Sequence, residues 1–304
     1  LRQIIAEQIL VRHNQYAPAK QEKFLMAYKS ICTFLTSDTD AVAQLDSAAT
    51  LAARFDAHLE VCCLGIDTTQ SVGFYAGAPA IIYQDALDSA QAHAEALAQI
   101  AKTHLRGASI RWGVDTAVLT LGGINSYVGL KARFSDLVIQ PRPYGENRGP
   151  QDEITAEAAL FDGDSPVLIL PTPSADVPKF NKIVLAWNQS DEALHAARAA
   201  LPLLQNADLV NVVIIDPPTH GIERSDPGGL LTQMLVRHGV QVEVSVIART
   251  LPRISDILRR HATDQAADLL VIGAYSHSRL RQAILGGTTR NLLEETTLPV
   301  FMAR

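Results

Sequence analysis

The sequence predicts an α/β fold, a mainly parallel sheet covered by helices, built twice over. Three observations carry that reading. Short apolar runs rich in β-branched residues alternate with stretches of helical periodicity along the chain. The pattern that opens at Ser30-Ile-Cys-Thr-Phe-Leu-Thr36 opens again at Lys182-Ile-Val-Leu-Ala-Trp-Asn188. Both copies also close alike, Ser165-Pro-Val-Leu-Ile-Leu-Pro171 answering Leu298-Pro-Val-Phe-Met-Ala303.

In the first copy a helix from about 39 to 55 follows the opening strand, and a strand Leu59-Glu-Val-Cys-Cys-Leu-Gly65 follows the helix. In the second, a helix from about 191 to 204 leads to Asp208-Leu-Val-Asn-Val-Val-Ile-Ile-Asp216. Ala48, Ala49 and Ala52, and then Ala196, Ala197 and Ala200, are small packing residues that let each helix approach its sheet closely. Ser37, Asp38 and Ser190 are the N-cap candidates. An insertion from Asp67 to Ala90 reads as a Gly- and Ala-rich loop running into a helix. Its counterpart is Pro217-Pro-Thr-His-Gly221 and a helix from about 227 to 238. Asp136-Leu-Val-Ile-Gln140 answers Asp268-Leu-Leu-Val-Ile-Gly273 as the fourth strand, and Pro173-Ser-Ala-Asp-Val-Pro178 between the copies is a stiff, polar linker.

Composition excludes several classes. The 304 residues are 47% hydrophobic and 19% charged, which is globular and not disordered. A net charge of −6 argues against a dedicated nucleic-acid or anionic-membrane surface. No apolar run approaches the roughly 20 residues a bilayer crossing needs. Cys32, Cys62 and Cys63 show no CxxC spacing and read as reduced core residues of a cytoplasmic protein, with Cys62 and Cys63 on opposite faces of a strand. The nine histidines show no metal spacing. Residues 1–25 lack a signal-peptide pattern. We expect an artefact of start-site assignment or cloning there, with the natural start at Met26.

The stretch that points most directly at a ligand is Leu269-Leu-Val-Ile-Gly273-Ala-Tyr-Ser276, followed after nine residues by Gly286-Gly287-Thr288-Thr289. A strand ending in glycine, a loop carrying Arg279 and Arg281, and a glycine pair opening a helix together form a phosphate-binding pattern. The bland alternative is a strand-to-helix turn with a threonine cap, and solvated arginines. Ser276 beside His277 does not form a Gly-x-Ser-x-Gly elbow, so no nucleophile is assigned. Trp187 and Trp112 read as packing residues. After Ile139 the first copy has Gln140-Pro-Arg-Pro-Tyr-Gly145 instead, whose prolines remove backbone donors.

The repeated five-strand plan, the glycine pattern after the second copy's fourth strand and the closing Leu-Pro-Val strand make the chain resemble a tandem universal stress protein over residues 26–304. The resemblance implies two Rossmann-like domains of the adenine nucleotide alpha hydrolase-like type, each a five-stranded parallel sheet in the order 3-2-1-4-5. Residues 26–172 form the first domain, 173–181 the linker and 182–304 the second. In some members of the family it also implies ATP at the carboxyl ends of strands 1 and 4. Against the family pattern Gly-x2-Gly-x9-Gly-[Ser/Thr], Gly273 and Gly286 match, Ser276 replaces the second glycine, Gly287 takes the Ser/Thr place, and Thr288 and Thr289 follow. Asn188 stands where ATP-binding members carry an acid. The implied contacts are therefore Asn188 near the ribose or base, Val246 and Ile247 at the base, and Gly273, Ser276, Gly286, Gly287, Thr288 and Thr289 at the phosphates, with Mg²⁺ accompanying ATP. Three expectations compete: an adenine-nucleotide-binding stress protein, a scaffold that binds no nucleotide, and, last, a slow ATPase. The two copies are expected to dock through their closing strands, since pairing buries two otherwise open edges; a homodimer is a further expectation.

Overall fold

The computed structural model describes residues 27–67, 80–145, 148–171, 173–174, 176–217, 226–274 and 287–304. Ser276 and Gly286, Arg279 and Arg281, His277 and residues 1–25 lie outside the described residues.

Ten strands form one continuous sheet. The first half contributes β1 (Ser30–Leu35), β2 (His58–Asp67), β3 (Arg111–Thr120), β4 (Leu137–Pro141) and β5 (Val167–Leu170). The second contributes β6 (Lys182–Ala186), β7 (Leu209–Ile215), β8 (Val242–Ile247), β9 (Leu269–Gly273) and β10 (Val300–Ala303). Their spatial order is β3-β2-β1-β4-β5-β10-β9-β6-β7-β8, so each half has the order 3-2-1-4-5, the second reversed at the junction. Every neighbouring pair is parallel except β5 and β10, which run antiparallel with Val300 opposite Ile169 and Met302 opposite Val167. The two strands that end the halves are thus joined to each other.

The strand sequences explain this architecture. β4, β5 and β10 are buried along their whole length, as unbroken apolar runs must be when helices cover both faces. On one face lie α1 (Ala41–Phe55), α2 (Ala80–Leu105), α5 (Asp191–Ala199), α6 (Leu201–Leu204) and α7 (Gly229–Arg237). On the other lie α3 (Ile124–Ala132), α4 (Pro150–Glu157), α8 (Ile254–Asp264) and α9 (Gly287–Glu295). Ala48, Ala52, Ala196, Ala197 and Ala200 are buried against the sheet. Cys63 belongs to the first apolar layer and Cys32 and Cys62 to the second, all three as free thiols. Burial pushes the Cys63 thiol up to about 12.

One aspartate repeats a structural task. Asp136, just before β4, accepts the backbone N–H groups of Lys29 and Ser30 at 2.7 and 2.9 Å. Asp268, just before β9, accepts those of Asn181 and Lys182, both at 2.9 Å. Each carboxylate therefore satisfies the donors at the entry to its half's first strand.

Other features depart from the sequence reading. α1 starts at Ala41, and its N-cap, Asp40, makes no side-chain cap bond. The Asp40 carboxylate instead accepts from Arg148 at 2.6 Å. Ser190 caps α5 as expected, its Oγ accepting from Ala193 N at 3.1 Å. The helix that follows breaks at Ala200, because Pro202 has no N–H to continue the ladder. The stretch between the halves is packed as well as polar. Val177 and Phe180 are buried, and the Arg54 guanidinium donates to the carbonyls of Val177 and Pro178. Among the described residues no helix is long and apolar enough to cross a membrane.

Candidate functional site

The second half has a cavity of about 510 Å³ at the carboxyl ends of its strands. It opens where β6 sends the chain to β7 on one side and has β9 on the other, the topological switch point at which open α/β sheets bind ligands. Its floor and walls are apolar: Ala186, Val213, Ile215 and Ile272 from the sheet, and Ile254, Leu258 and Leu292 from α8 and α9. The polar lining residues are Asn188, Ser190, Thr288 and the buried Thr289. An apolar cleft with a few placed polar groups is the usual form of a small-molecule site, and this volume lies within the usual range of about 300–1,000 Å³.

Several sequence-predicted residues come together here. Asn188, Gly273, Thr288 and Thr289 all line the cavity. Gly287 is the first residue of α9, so free N–H groups and the positive end of the helix dipole meet the rim beside Thr288. Gly273 answers a close approach: a Cβ there would lie 2.5 Å from Ala193 N and 2.7 Å from Glu192 C, so the first turn of α5 rests directly on it. At Gly287 an added Cβ would meet nothing within 4 Å among the described residues. Among the described residues Gly287 thus meets no steric demand, whereas Gly273 does.

Val246 and Ile247 are not part of the lining. They end β8, a strand further from β6; Val246 is 53% exposed and Ile247 packs against the second apolar layer. Ile215 of β7 stands at the wall in their place. Sequence reasoning also missed Ile254, Leu258 and Leu292. Their helical spacing looks like ordinary core, and only the cavity beside them distinguishes them.

Asn188 has local work that its sequence position did not reveal. Its Oδ1 accepts from Ser190 N at 3.1 Å, the turn that sets Ser190 up as a cap. The amide nitrogen is the group left to address a ligand, so this position offers a donor where a carboxylate would offer only acceptors. Gln189 between them is left-handed, at φ 65°.

Two polar braces hold the helices over the strands. In the second half His261 Nε2 lies 2.8 Å from Asn211 Oδ1, and Asn211 Nδ2 donates to Glu243 and Ser245, both at 2.8 Å. Burial lowers the His261 pKa, Asp264 and Glu243 opposing the shift. The matching place in the first half is ionic: Lys131 Nζ lies 2.7 Å from Asp115, which also accepts from Tyr127 OH at 3.0 Å. The bond from Lys131 is the main reason the Asp115 carboxyl lies below the usual range. At the far end of the cavity helices, Glu295 of α9 pairs with Arg259 of α8 at 2.7 Å.

The first half does not repeat the cavity. Ile31 pairs with Leu137 and Leu59 as Ile183 pairs with Leu269 and Val210. The ladders therefore superpose Phe34 on Ala186, Thr36 on Asn188, Gln140 on Ile272 and Pro141 on Gly273. Phe34, Gln140, Asp152 and Thr155 leave a space of only about 10 Å³. Gln44 ties this plug together, its amide nitrogen bonding Thr33 Oγ1 at 2.8 Å and Phe34 O at 2.9 Å and meeting the Gln140 amide at 2.9 Å. Thr36 donates to Asp152 at 2.7 Å, and the other oxygen of Asp152 accepts from Gly149 N at the start of α4. An acid occupies the helix start that would otherwise attract an anion. A crevice of about 490 Å³ remains farther out, between Thr36, the start of α4 at Pro150 and Gln151, and the α2 face that carries Ser89, Ala90 and His93.

Known proteins agree with this architecture. Residues 179–304 match the model of the universal stress protein family. The universal stress protein Slr1230 of Synechocystis sp. is 27% identical over 144 residues, 44% of this chain and 48% of that protein; the match spans about half the relative's length. A universal stress protein from Archaeoglobus fulgidus DSM 4304 has a similar structure, with a TM-score of 0.68 at 13% identity, over 90% of this chain and 96% of that one. A functionally unknown protein from Pseudomonas aeruginosa PAO1 shares the fold with a TM-score of 0.55 at 18% identity, over 91% and 92% of the two chains. Residues 179–304 are thus similar to the universal stress protein family, within a doubled fold shared with a solved universal stress protein.

Proposed function

We propose that this protein is a cytoplasmic stress-response protein whose second half binds an adenine nucleotide, ATP first among them. The observation that carries the reading is the 510 Å³ cavity at the switch point, apolar within and rimmed by Asn188 and the start of α9. The apolar walls suit a base. Asn188 would address the ribose through its amide N–H groups. Gly287, Thr288 and Thr289 would take the phosphates with backbone N–H groups and hydroxyls. No Asp or Glu side chain lines the cavity among the described residues, so Mg²⁺ would arrive with the phosphates and be held by them and by water. The described lining also offers no His, Asp or Glu as a general base, so we propose binding and not turnover. The two halves would act as one body, joined through β5 and β10.

Titration calorimetry with Mg-ATP tests this, with Gly287→Glu as the companion variant. An added Cβ at Gly287 meets no described atom within 4 Å, so we assign the variant's effect on binding to its charge. We expect saturable heat from the natural chain and none from the variant. A folded natural chain that gives no heat at millimolar ATP would favour the second reading, a scaffold that binds no nucleotide. That reading draws on Asn188, whose oxygen is engaged by Ser190.

A further inference from the structure

Among the described residues the sheet ends in two unpaired edges, β3 and β8, and they are finished differently. The 26-residue helix α2 lies along β2 and β3. Ion pairs dress the β3 edge, Arg111 to Asp56 at 3.0 Å and Asp115 to Lys131 at 2.7 Å. The matching cover in the second half is α7, only nine residues long. On β8, Val244 and Val246 stand 42% and 53% exposed. The strand reads Val-Glu-Val-Ser-Val-Ile, with no Lys, Pro or bulge of the kind that blunts an edge.

The ladder tells which backbone groups are open. Gln241 O accepts from Val210 N, and Ile247 O accepts from Asp216 N, in a parallel register that sets Val210 against Val242 and Ile215 against Ile247. Odd-numbered residues therefore turn their N–H and C=O groups to β7. Val242, Val244 and Val246 turn theirs to the free edge. The same three side chains share one face of the strand.

We propose that β8 is a self-pairing edge, through which two copies of the chain join antiparallel about a two-fold axis at Val244. In that register Val244 lies opposite the partner's Val244, and Val242 and Val246 lie opposite the partner's Val246 and Val242. All three outward residues then exchange backbone bonds in hydrogen-bonded pairs, and three valines face three valines. On the other face Glu243 lies opposite the partner's Ser245. An axis at Glu243 would set two like charges directly opposite each other. An axis at Ser245 would leave Val242 opposite Ala248. A one-residue slip would turn the valines to the wrong face and misalign every donor. Charge, parity and side-chain matching select the same register, and the occupant they select is a second copy.

Sedimentation velocity on the full chain, with Val244→Lys and Val244→Cys, tests the proposal. The natural chain should sediment at twice its 32.9 kDa mass and dissociate on dilution. Val244→Lys, which brings two cations together at the axis, should be a monomer with an unchanged circular dichroism spectrum. Oxidised Val244→Cys should run as a disulfide-linked dimer, because a hydrogen-bonded antiparallel pair holds its Cα atoms about 5.5 Å apart, within disulfide reach. Val42→Cys on α1, similarly exposed at 47%, should not cross-link; the native thiols are buried and silent. A natural chain that stays monomeric, a dimer that survives Val244→Lys, or cross-linking no better at 244 than at 42 would overturn it.

Discussion

The two halves of the sheet share a ladder residue for residue and differ in what occupies its carboxyl end. In the second half, Ala186, Ile272 and Gly273 leave room for a cavity of about 510 Å³. In the first, Phe34, Gln140 and Pro141 hold the same ladder positions, and the space falls to about 10 Å³. Small side chains and a glycine open the site; a phenyl ring, a buried amide network and a capping acid close it. A repeat can thus keep its fold while one copy closes the space at its strand ends and keeps only the outer crevice between Thr36, the start of α4 and α2, because the fold is set by the strands and the cavity by a few residues at their ends.

The largest expected effect comes from charge. Gly287→Glu should remove nucleotide binding altogether, since a carboxylate meeting phosphate oxygens costs several kcal/mol, on the order of 100-fold or more in affinity. Copying the first half's plug into the second comes next. Ala186→Phe should fill the cavity and reduce calorimetric binding to background, while overpacking costs no more than about 1–3 kcal/mol of stability in urea unfolding. Binding that persists in Ala186→Phe would break the comparison. Third, Gly273→Ala should destabilise by a similar 1–3 kcal/mol, because its Cβ drives into the backbone at Glu192 and Ala193; unfolding midpoints read this directly.

How much of this was legible in the sequence follows from where each signal lives. The doubled plan was readable because repeated apolar runs and paired markers, such as Asp136 with Asp268, have a single consistent reading, and the strand order came from the family resemblance those markers support. That Asn188, Gly273, Thr288 and Thr289 would meet at one end of the sheet was legible, Asn188 through the family resemblance and the others through the strand end and helix start, and all four line the cavity. Ile254, Leu258 and Leu292 were not, since an apolar residue that lines a cavity has the same periodicity as one that fills a core. Val246 and Ile247 were assigned to the site because they end a strand, but the cavity stops at Ile215, one strand short of them. The pairing of Arg148 with Asp40, 108 residues apart, takes the α1 N-cap carboxylate away from the helix start, which no local pattern records.

The braces sharpen the comparison by a smaller effect. His261 has a folded pKa below its ordinary value of about 6.5. The unfolded chain therefore binds its proton first, and the stability of that brace falls as pH drops through the ordinary histidine range towards the lower folded value. Asp115 has a depressed carboxyl, so its contribution persists above the usual carboxylate range and is lost only as pH falls through that range. Hydrogen exchange at mildly acidic pH should show α8 losing protection while α3 keeps it. Equal loss in both helices would count against this assignment. Smaller still, Ser190→Ala should cost about 1 kcal/mol through loss of the α5 cap.

The central claim is that one half binds and the other is plugged. Native mass spectrometry of the full chain with ATP tests it most directly, alongside Ala186→Phe. The account predicts one nucleotide per chain and none in the variant. Two nucleotides per chain, or one that survives the variant, would contradict it.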